Sequence, residues 1–330
     1  MSDFLVARRK SSNSRLNQLR GRLGRAKEFA KSRACVYATG SFGRGEASQH
    51  SDLDLFIVGE SKDDKPALRN LDLICLKAEL IGATRAQKLP EFDGDGHWLE
   101  RYTVQDLVTT LGKPEDDATN TFTARLLLLL ESQPLIGADV YDESIKQAIS
   151  KYWRDYEDRM GSFIPAFLAN DILRLWRTFC INYEARTEKD PAVKKAKRKL
   201  KNYKLKHSRL LTCYSALAYM LAIHSDQGTV HPSDMVDMVS LSPTQRFERL
   251  RSLQFCGPAH ESIDLVLEKY ARFLEVTGRP SEALIEEFMS KDTARARYAE
   301  ALELGDAVFQ ALRALAQINA NPHFYRLLVV

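Results

Sequence analysis

The sequence predicts an α+β fold, a mixed sheet backed by helices and followed by an all-helical C-terminal domain. Three observations carry that expectation. Strand-like runs at Cys35 to Ala38 and Leu53 to Val58 enclose a polar loop that opens on Gly40. A helical apolar period over Lys65 to Leu89 separates this pair from a further strand-like run at Trp98 to Val104. Beyond about residue 140, strand signals nearly vanish and helix signals recur.

Taken in order, Ser12 to Ala34 places Leu16, Leu19 and Leu23 at helical spacing amid arginines and lysines, which predicts a basic amphipathic helix leading into the fold. The helix over Lys65 to Leu89 is read from Leu68, Leu71, Ile74, Cys75, Ala78 and Ile81. Glu91 to Gly96 is turn chemistry, and Asn120 to Leu130 is an apolar helix that closes the first domain near Gly137. Later helices are expected at roughly 142–160, 163–186, 192–224, 243–255, 260–277, 281–290 and 293–318, helped by a Ser242-Pro243 start and a Gly278-Arg279-Pro280 stop. The domains then run 1–33, a basic helix; 34–138, the sheet-bearing part; and 139–330, the helical part.

At 330 residues, with 44% apolar and 28% charged, the chain can bury two cores. Its longest apolar stretches, Leu126 to Leu130 and Tyr214 to Ile223, fall far short of the roughly 18 residues that cross a bilayer, so no membrane span is expected. The N-terminus has no continuous apolar core of a secretory signal. Five scattered cysteines lack zinc spacing, the seven histidines show no HExxH pattern, and a reducing cytoplasm fits this usage. The net charge of +4 hides an asymmetry, because Pro191 to Arg209 holds nine Lys or Arg and no acid. Such a block suits a solvated helix face or a polyanion.

The chemistry sits between Gly40 and Val58. Gly40 lets the chain turn at a strand end, and Ser41 then offers a hydroxyl and N–H donors to triphosphate oxygens. Asp52 and Asp54 stand two apart on a strand, so both carboxylates leave one face while Leu53, Leu55 and Ile57 point to the other. Two carboxylates so placed can bridge two Mg2+ ions about 3.5–4 Å apart, with Mn2+ the alternative, which is phosphoryl-transfer chemistry.

Gly-Ser at a strand end, a short helix with Arg44 and Gly45, then Ser51-Asp52-Leu53-Asp54 entering an apolar strand resembles the signature of the polymerase β nucleotidyltransferase superfamily. The resemblance covers about residues 34–137 by motif. It implies a nucleotidyltransferase catalytic domain, two-metal transfer of a nucleoside monophosphate from a triphosphate such as ATP, and a helical domain closing the nucleotide cleft. Gly40, Ser41 and Arg44 become candidate phosphate-binding residues, and Asp52 and Asp54 catalytic metal ligands. It also implies a third acid on a later strand, a place taken by Glu100, with Asp93, Asp95 and Glu91 in competition. Gly40 to Glu46, the Gly96-His97 region, and Thr123-Ala124-Arg125 through Glu131 to Leu135 are similar to the nucleotidyltransferase domain of protein PII uridylyltransferases, although the helix holding Arg125 and Glu131 reads mainly as core.

In this superfamily, the first helices after the catalytic domain contact base and triphosphate. Lys204 and Ser208, four apart on one face in the basic block, are the candidates here to grip β and γ phosphates. Asn170, Asp171, Arg174 and Arg177 form a polar stripe, with an Asp171 to Arg174 ion pair as the plain reading. Three functions are open: transfer to a nucleotide or oligonucleotide hydroxyl, as in antiphage-defence nucleotidyltransferases, which the chain resembles; modification of a protein hydroxyl; or a nonenzymatic nucleotide-binding module.

Overall fold

The computed structural model describes residues 2–62, 65–92, 99–184, 191–318 and 323–329. They divide into two compact units, Ser2–Trp153 and Arg154–Val330.

Alternation builds the sheet of the first unit. β1 (Ala34–Thr39) pairs antiparallel with β2 (Asp54–Gly59), with Tyr37 opposite Phe56 and Thr39 opposite Asp54. After a separate small hairpin, β3 (Ser61–Lys62) and β4 (Lys65–Pro66), strand β5 (Arg101–Thr103) joins β2 in parallel, Ile57 opposite Arg101. A last strand, β6 (Gln133–Ile136), joins β1 antiparallel, giving the order β5-β2-β1-β6. The sheet is mixed, and the fold is α+β, as the alternating runs predict. β6 escapes sequence reading because it is four residues long and contains Pro134, which is tolerated only at an edge. There Arg20 donates through Nε and Nη2 to the Pro134 carbonyl at 2.9 and 2.5 Å.

Each sheet face buries against helices. On one face Ala34, Val36, Ala38, Leu55 and Ile57 join Leu16 and Leu19 of α1 (Ser2–Arg22). Leu23, then Ala26 and Ala30 of α2 (Gly24–Ala30), extend that core. The single helix expected over Ser12 to Ala34 breaks at Leu23, whose backbone leaves helical values beside Gly24, a weak helix former. The one-turn α3 (Gly40–Gly43) follows β1, and α4 (Asn70–Ala86) completes this layer through Leu73, Leu76 and Leu80. The helical period of α4 is as read, but its phase is not. Leu71 is 71% exposed and Ile74 55%, because the face that packs is the one carrying Leu73, Leu76, Leu80 and Ala83, with Asp72 at its margin paired to Arg69 and Arg33.

The opposite face presents Cys35, Tyr37, Phe56, Val58 and Tyr102, with Tyr37 and Phe56 stacked at 5.6 Å and Phe56 tilted on Tyr102 at 5.9 Å. It is covered by α5 (Val104–Thr109), α7 (Thr121–Glu131) and α8 (Ala138–Tyr152), with the short α6 (Glu115–Ala118) beside them. Leu126 to Leu130 are all buried, and each such leucine stabilises the unit by about 1.5–3 kcal/mol. Arg125, fully buried, ties four helices together. Its guanidinium meets Asp116 of α6 at 2.9 and 2.6 Å, Tyr152 of α8 at 3.0 Å and the Leu107 carbonyl of α5 at 2.9 Å. Burial pulls the Arg125 pKa down, but the bonds to Asp116 and Tyr152 outweigh it and hold the cation firmly charged.

The second unit is all helical among its described residues: α9 (Ala166–Glu184), α10 (Ala192–Gln227), α11 (Pro232–Ser240), α12 (Pro243–Ser252), α13 (His260–Thr277), α14 (Ser281–Met289), α15 (Lys291–Ala316) and α16 (His323–Val329). The 36-residue α10 is the axis on which α9, α12, α14 and α15 pack. Sequence reading misses α11, whose Pro232-Ser233-Asp234 start looks like a turn; Asp234 caps it by accepting from the His231 N–H at 2.7 Å. The Asp171 to Arg174 ion pair forms, at 3.7 Å. Among the described residues no helix is long and apolar enough to cross a membrane.

Arg125→Met should cost about 3–5 kcal/mol in urea denaturation, because it strands the buried Asp116 carboxylate; adding Asp116→Leu should recover most of the loss. A second prediction concerns His207 of α10, buried and stacked on Phe273 at 4.4 Å, whose pKa burial pushes down to about 4. An unfolded imidazole titrates near ~6.5, so between ~6.5 and ~4 only the unfolded chain takes up this proton. The His207 contribution to stability therefore falls by about 3 kcal/mol as pH drops through that window. In His207→Phe that fall should vanish, read as the pH dependence of the difference in unfolding free energy from the parent chain.

Candidate active site

The end of β1 is shaped by what cannot fit there. Gly40 has φ of +63°, and a Cβ on it would lie 2.4 Å from Asp54 Oδ2, so only a bare Cα lets the Asp54 side chain lie across the start of the loop. At Gly43 a Cβ would meet the Glu131 carbonyl oxygen at 2.0 Å. The loop from Gly40 to Gly45 is thus wedged between the start of β2 and the last turn of α7.

Charge then locks it. Glu131, at the end of α7, accepts from the Gly40 N–H at 3.1 Å through Oε1 and from Arg44 Nη1 at 2.9 Å through Oε2. Arg44 Nε in turn donates to Glu46 Oε2 at 2.8 Å. Arg44 is 7% exposed, Glu46 6% and Glu131 2%. A guanidinium so enclosed between two carboxylates holds the loop in shape. The turn continues with Ser41 O accepting from the Glu46 N–H at 2.7 Å. Ser12 of α1 accepts from the Ala47 N–H at 3.2 Å, and Arg15 donates to the Ser48 carbonyl while its guanidinium lies 5.2 Å from the Phe42 ring centroid.

Asp52 precedes β2 and Asp54 opens it; both are exposed, while Leu53, Leu55 and Ile57 are buried. Ser41 Oγ is buried and has no hydrogen-bond partner among the described residues. A buried hydroxyl left so costs about 1–3 kcal/mol and suits a site completed by an incoming acceptor atom. Glu100 is exposed and sits just before β5, where Arg101 pairs with Ile57, three residues beyond Asp54. Glu91 is held on the surface by Arg85, at 2.8 Å. Asp93, Asp95, Gly96 and His97 lie outside the described residues. No three acids, histidines or cysteines among the described residues gather closely enough to hold a metal ion. Asp52 and Asp54 still fit magnesium, an all-oxygen cation bound through one or two carboxylates with substrate phosphates and water supplying the rest. Lys204 and Ser208 lie on α10, in the other unit, where the Ser208 hydroxyl donates to the Lys204 carbonyl at 2.8 Å.

Sequence reasoning undervalues Glu131, placing it in a core-packing helix. The signal was its position at the end of an apolar run, where a carboxylate can be buried only against partners.

Residues 19–95 match the family model of the nucleotidyltransferase domain, a match that spans the whole Gly40 to Val58 segment. Residues 19–95 thus match a nucleotidyltransferase domain of the polymerase β superfamily. The chain matches no curated protein and no solved structure.

Glu131→Gln keeps the side-chain shape but turns an amide group toward one of its two donors. Urea denaturation should show a loss of about 1–3 kcal/mol, with Glu131→Ala costing more because it leaves Arg44 half-paired.

Proposed function

We propose, from the premise that this chain carries a nucleotidyltransferase domain and transfers nucleotidyl groups, that it moves a nucleoside monophosphate from a triphosphate to a nucleotide or oligonucleotide hydroxyl. The observation that carries the reading is the buried Ser41 hydroxyl, without a hydrogen-bond partner among the described residues, next to Gly40, the residue that the Asp54 side chain covers. A hydroxyl donor one residue on from the glycine that meets a carboxylate offers a triphosphate both of its needs: a hydrogen bond to an anionic oxygen and a place for its counter-cation.

In this reading Gly40 brings the backbone close to the β and γ phosphates and Ser41 donates to them. Glu131, Arg44 and Glu46 keep the loop from relaxing away as charge moves. Asp52 and Asp54 would hold two Mg2+ ions, or Mn2+ in their place, which would supply charge to neutralise the departing pyrophosphate and acidify the acceptor hydroxyl. The acceptor oxygen bonds to the α-phosphorus as the α–β bridging bond breaks. Pyrophosphate leaves, and the hydroxyl proton passes to a carboxylate, for which Glu100 is the candidate, or to water. A role in antiphage defence, as a signal or oligomer synthase in the cytoplasm, extends the same reading.

Incubating the purified chain with each labelled ribo- and deoxyribonucleoside triphosphate and Mg2+ tests it. Growing oligonucleotide product is the expected result; labelled protein would make the acceptor a protein hydroxyl, and no transfer with any triphosphate would leave a binding module. Asp52→Ala with Asp54→Ala should lower transfer at least about a thousandfold, roughly 4 kcal/mol in the barrier. Unchanged transfer in that variant would refute the site.

A further inference from the structure

The basic helix α1 remains without a role in this chemistry. One of its faces buries Leu5, Leu16 and Leu19. Along the other runs an open groove whose polar lining is Arg9, Lys10, Asn13, Ser14, Asn17 and Gln18, with no acid among them. The spacing of Lys10, Ser14 and Asn17 or Gln18 makes one stripe on the helix, with Arg9 and Asn13 making its neighbour. Over its whole length α1 carries six Arg or Lys and one acid, Asp3.

Three features tie this groove to the catalytic loop. The Arg9 Cγ lies 3.2 Å from where a Cβ on Gly45 would be, and the Asn13 Oδ1 4.0 Å from the same point. Ser12 and Arg15, on the same helix, bond the backbone of Ala47 and Ser48. Asn13 Oδ1 is itself buried and has no hydrogen-bond partner among the described residues, an acceptor atom placed where groove and loop meet. Cations along a groove suit phosphates, and amide side chains beside them can hydrogen-bond base edges, which a single strand turns toward the protein without the helix having to enter a duplex groove.

We infer that the α1 groove binds a single-stranded oligonucleotide, its phosphodiester backbone along Arg9 and Lys10 and its bases toward Asn13, Asn17 and Gln18. Where that strand serves as acceptor, the inference rests on the nucleotidyl-transfer reading, since the groove borders the loop between Ser41 and Asp52. The binding itself does not depend on transfer.

The test is fluorescence anisotropy of the full chain with end-labelled 12-nucleotide single strands and with the duplex of equal length, over a series of salt concentrations. The single strand is expected to bind more tightly. Lys10→Glu with Gln18→Glu changes two exposed positions that make no contact with the loop, and should weaken binding at least about fivefold and flatten the salt dependence by about 0.7 in log–log slope for the lost phosphate contact. Ser14→Glu alone should act in the same direction. Lys195→Glu with Lys197→Glu, on α10, should leave it unchanged. Unweakened binding in both groove variants, each shown folded by circular dichroism, or preference for the duplex, would overturn the inference while leaving transfer by the parent chain untouched. Lost strand binding in the groove variants, with no transfer by the parent chain, would instead keep the groove and remove the transfer reading.

Discussion

The carboxylate of Glu131 is the contact on which the catalytic loop depends. It is nearly inaccessible to water, and it accepts from the first N–H of the loop and from the guanidinium four residues further on. A buried carboxylate is expensive unless every lone pair direction is used, and the two donors use it well. The consequence is that the loop cannot open without exposing an unpaired charge to the core. Because α7 delivers Glu131 and Arg125 anchors α7 through Asp116, the shape of the loop is linked through one helix to the packing of α5, α6 and α8.

This rigidity explains a division of labour among charged groups that look equivalent in the primary structure. Arg44, Glu46 and Glu131 are spent on architecture, enclosed and mutually satisfied. Asp52 and Asp54 are left at the mouth, exposed and two residues apart. Preorganised groups of this kind need little rearrangement when charge develops on a substrate, which is the usual source of electrostatic advantage in transfer reactions. The cost is visible in the hydroxyl of Ser41, buried with no hydrogen-bond partner among the described residues.

Much of this was legible in the sequence because it depends on local rules. Period two in Leu53 to Ile57, glycines where the chain must turn, and helical spacing in α7 and α10 are properties of neighbouring residues, and each reappears in the fold. What stayed hidden depends on partners distant along the chain. The buried side of α4 is set by the core that Leu73, Leu76 and Leu80 join, which leaves Leu71 and Ile74 outside. Likewise β6 exists because β1 offers an open edge, and the task of Arg44 follows from Glu131, 87 residues away. The motif told which residues gather at the strand ends; it could not tell which of them would be used up in holding the others.

The two margins of the sheet differ from its centre in a way that bears on how this protein can meet other chains. One margin, β5, is three residues long. The other, β6, has a proline in place of a donor, and Arg20 already occupies that residue's carbonyl. Among the described residues neither margin of this sheet offers an extended row of unused amide and carbonyl groups for an incoming strand to copy. These two margins are thereby guarded against the edge-to-edge pairing that joins chains into fibres.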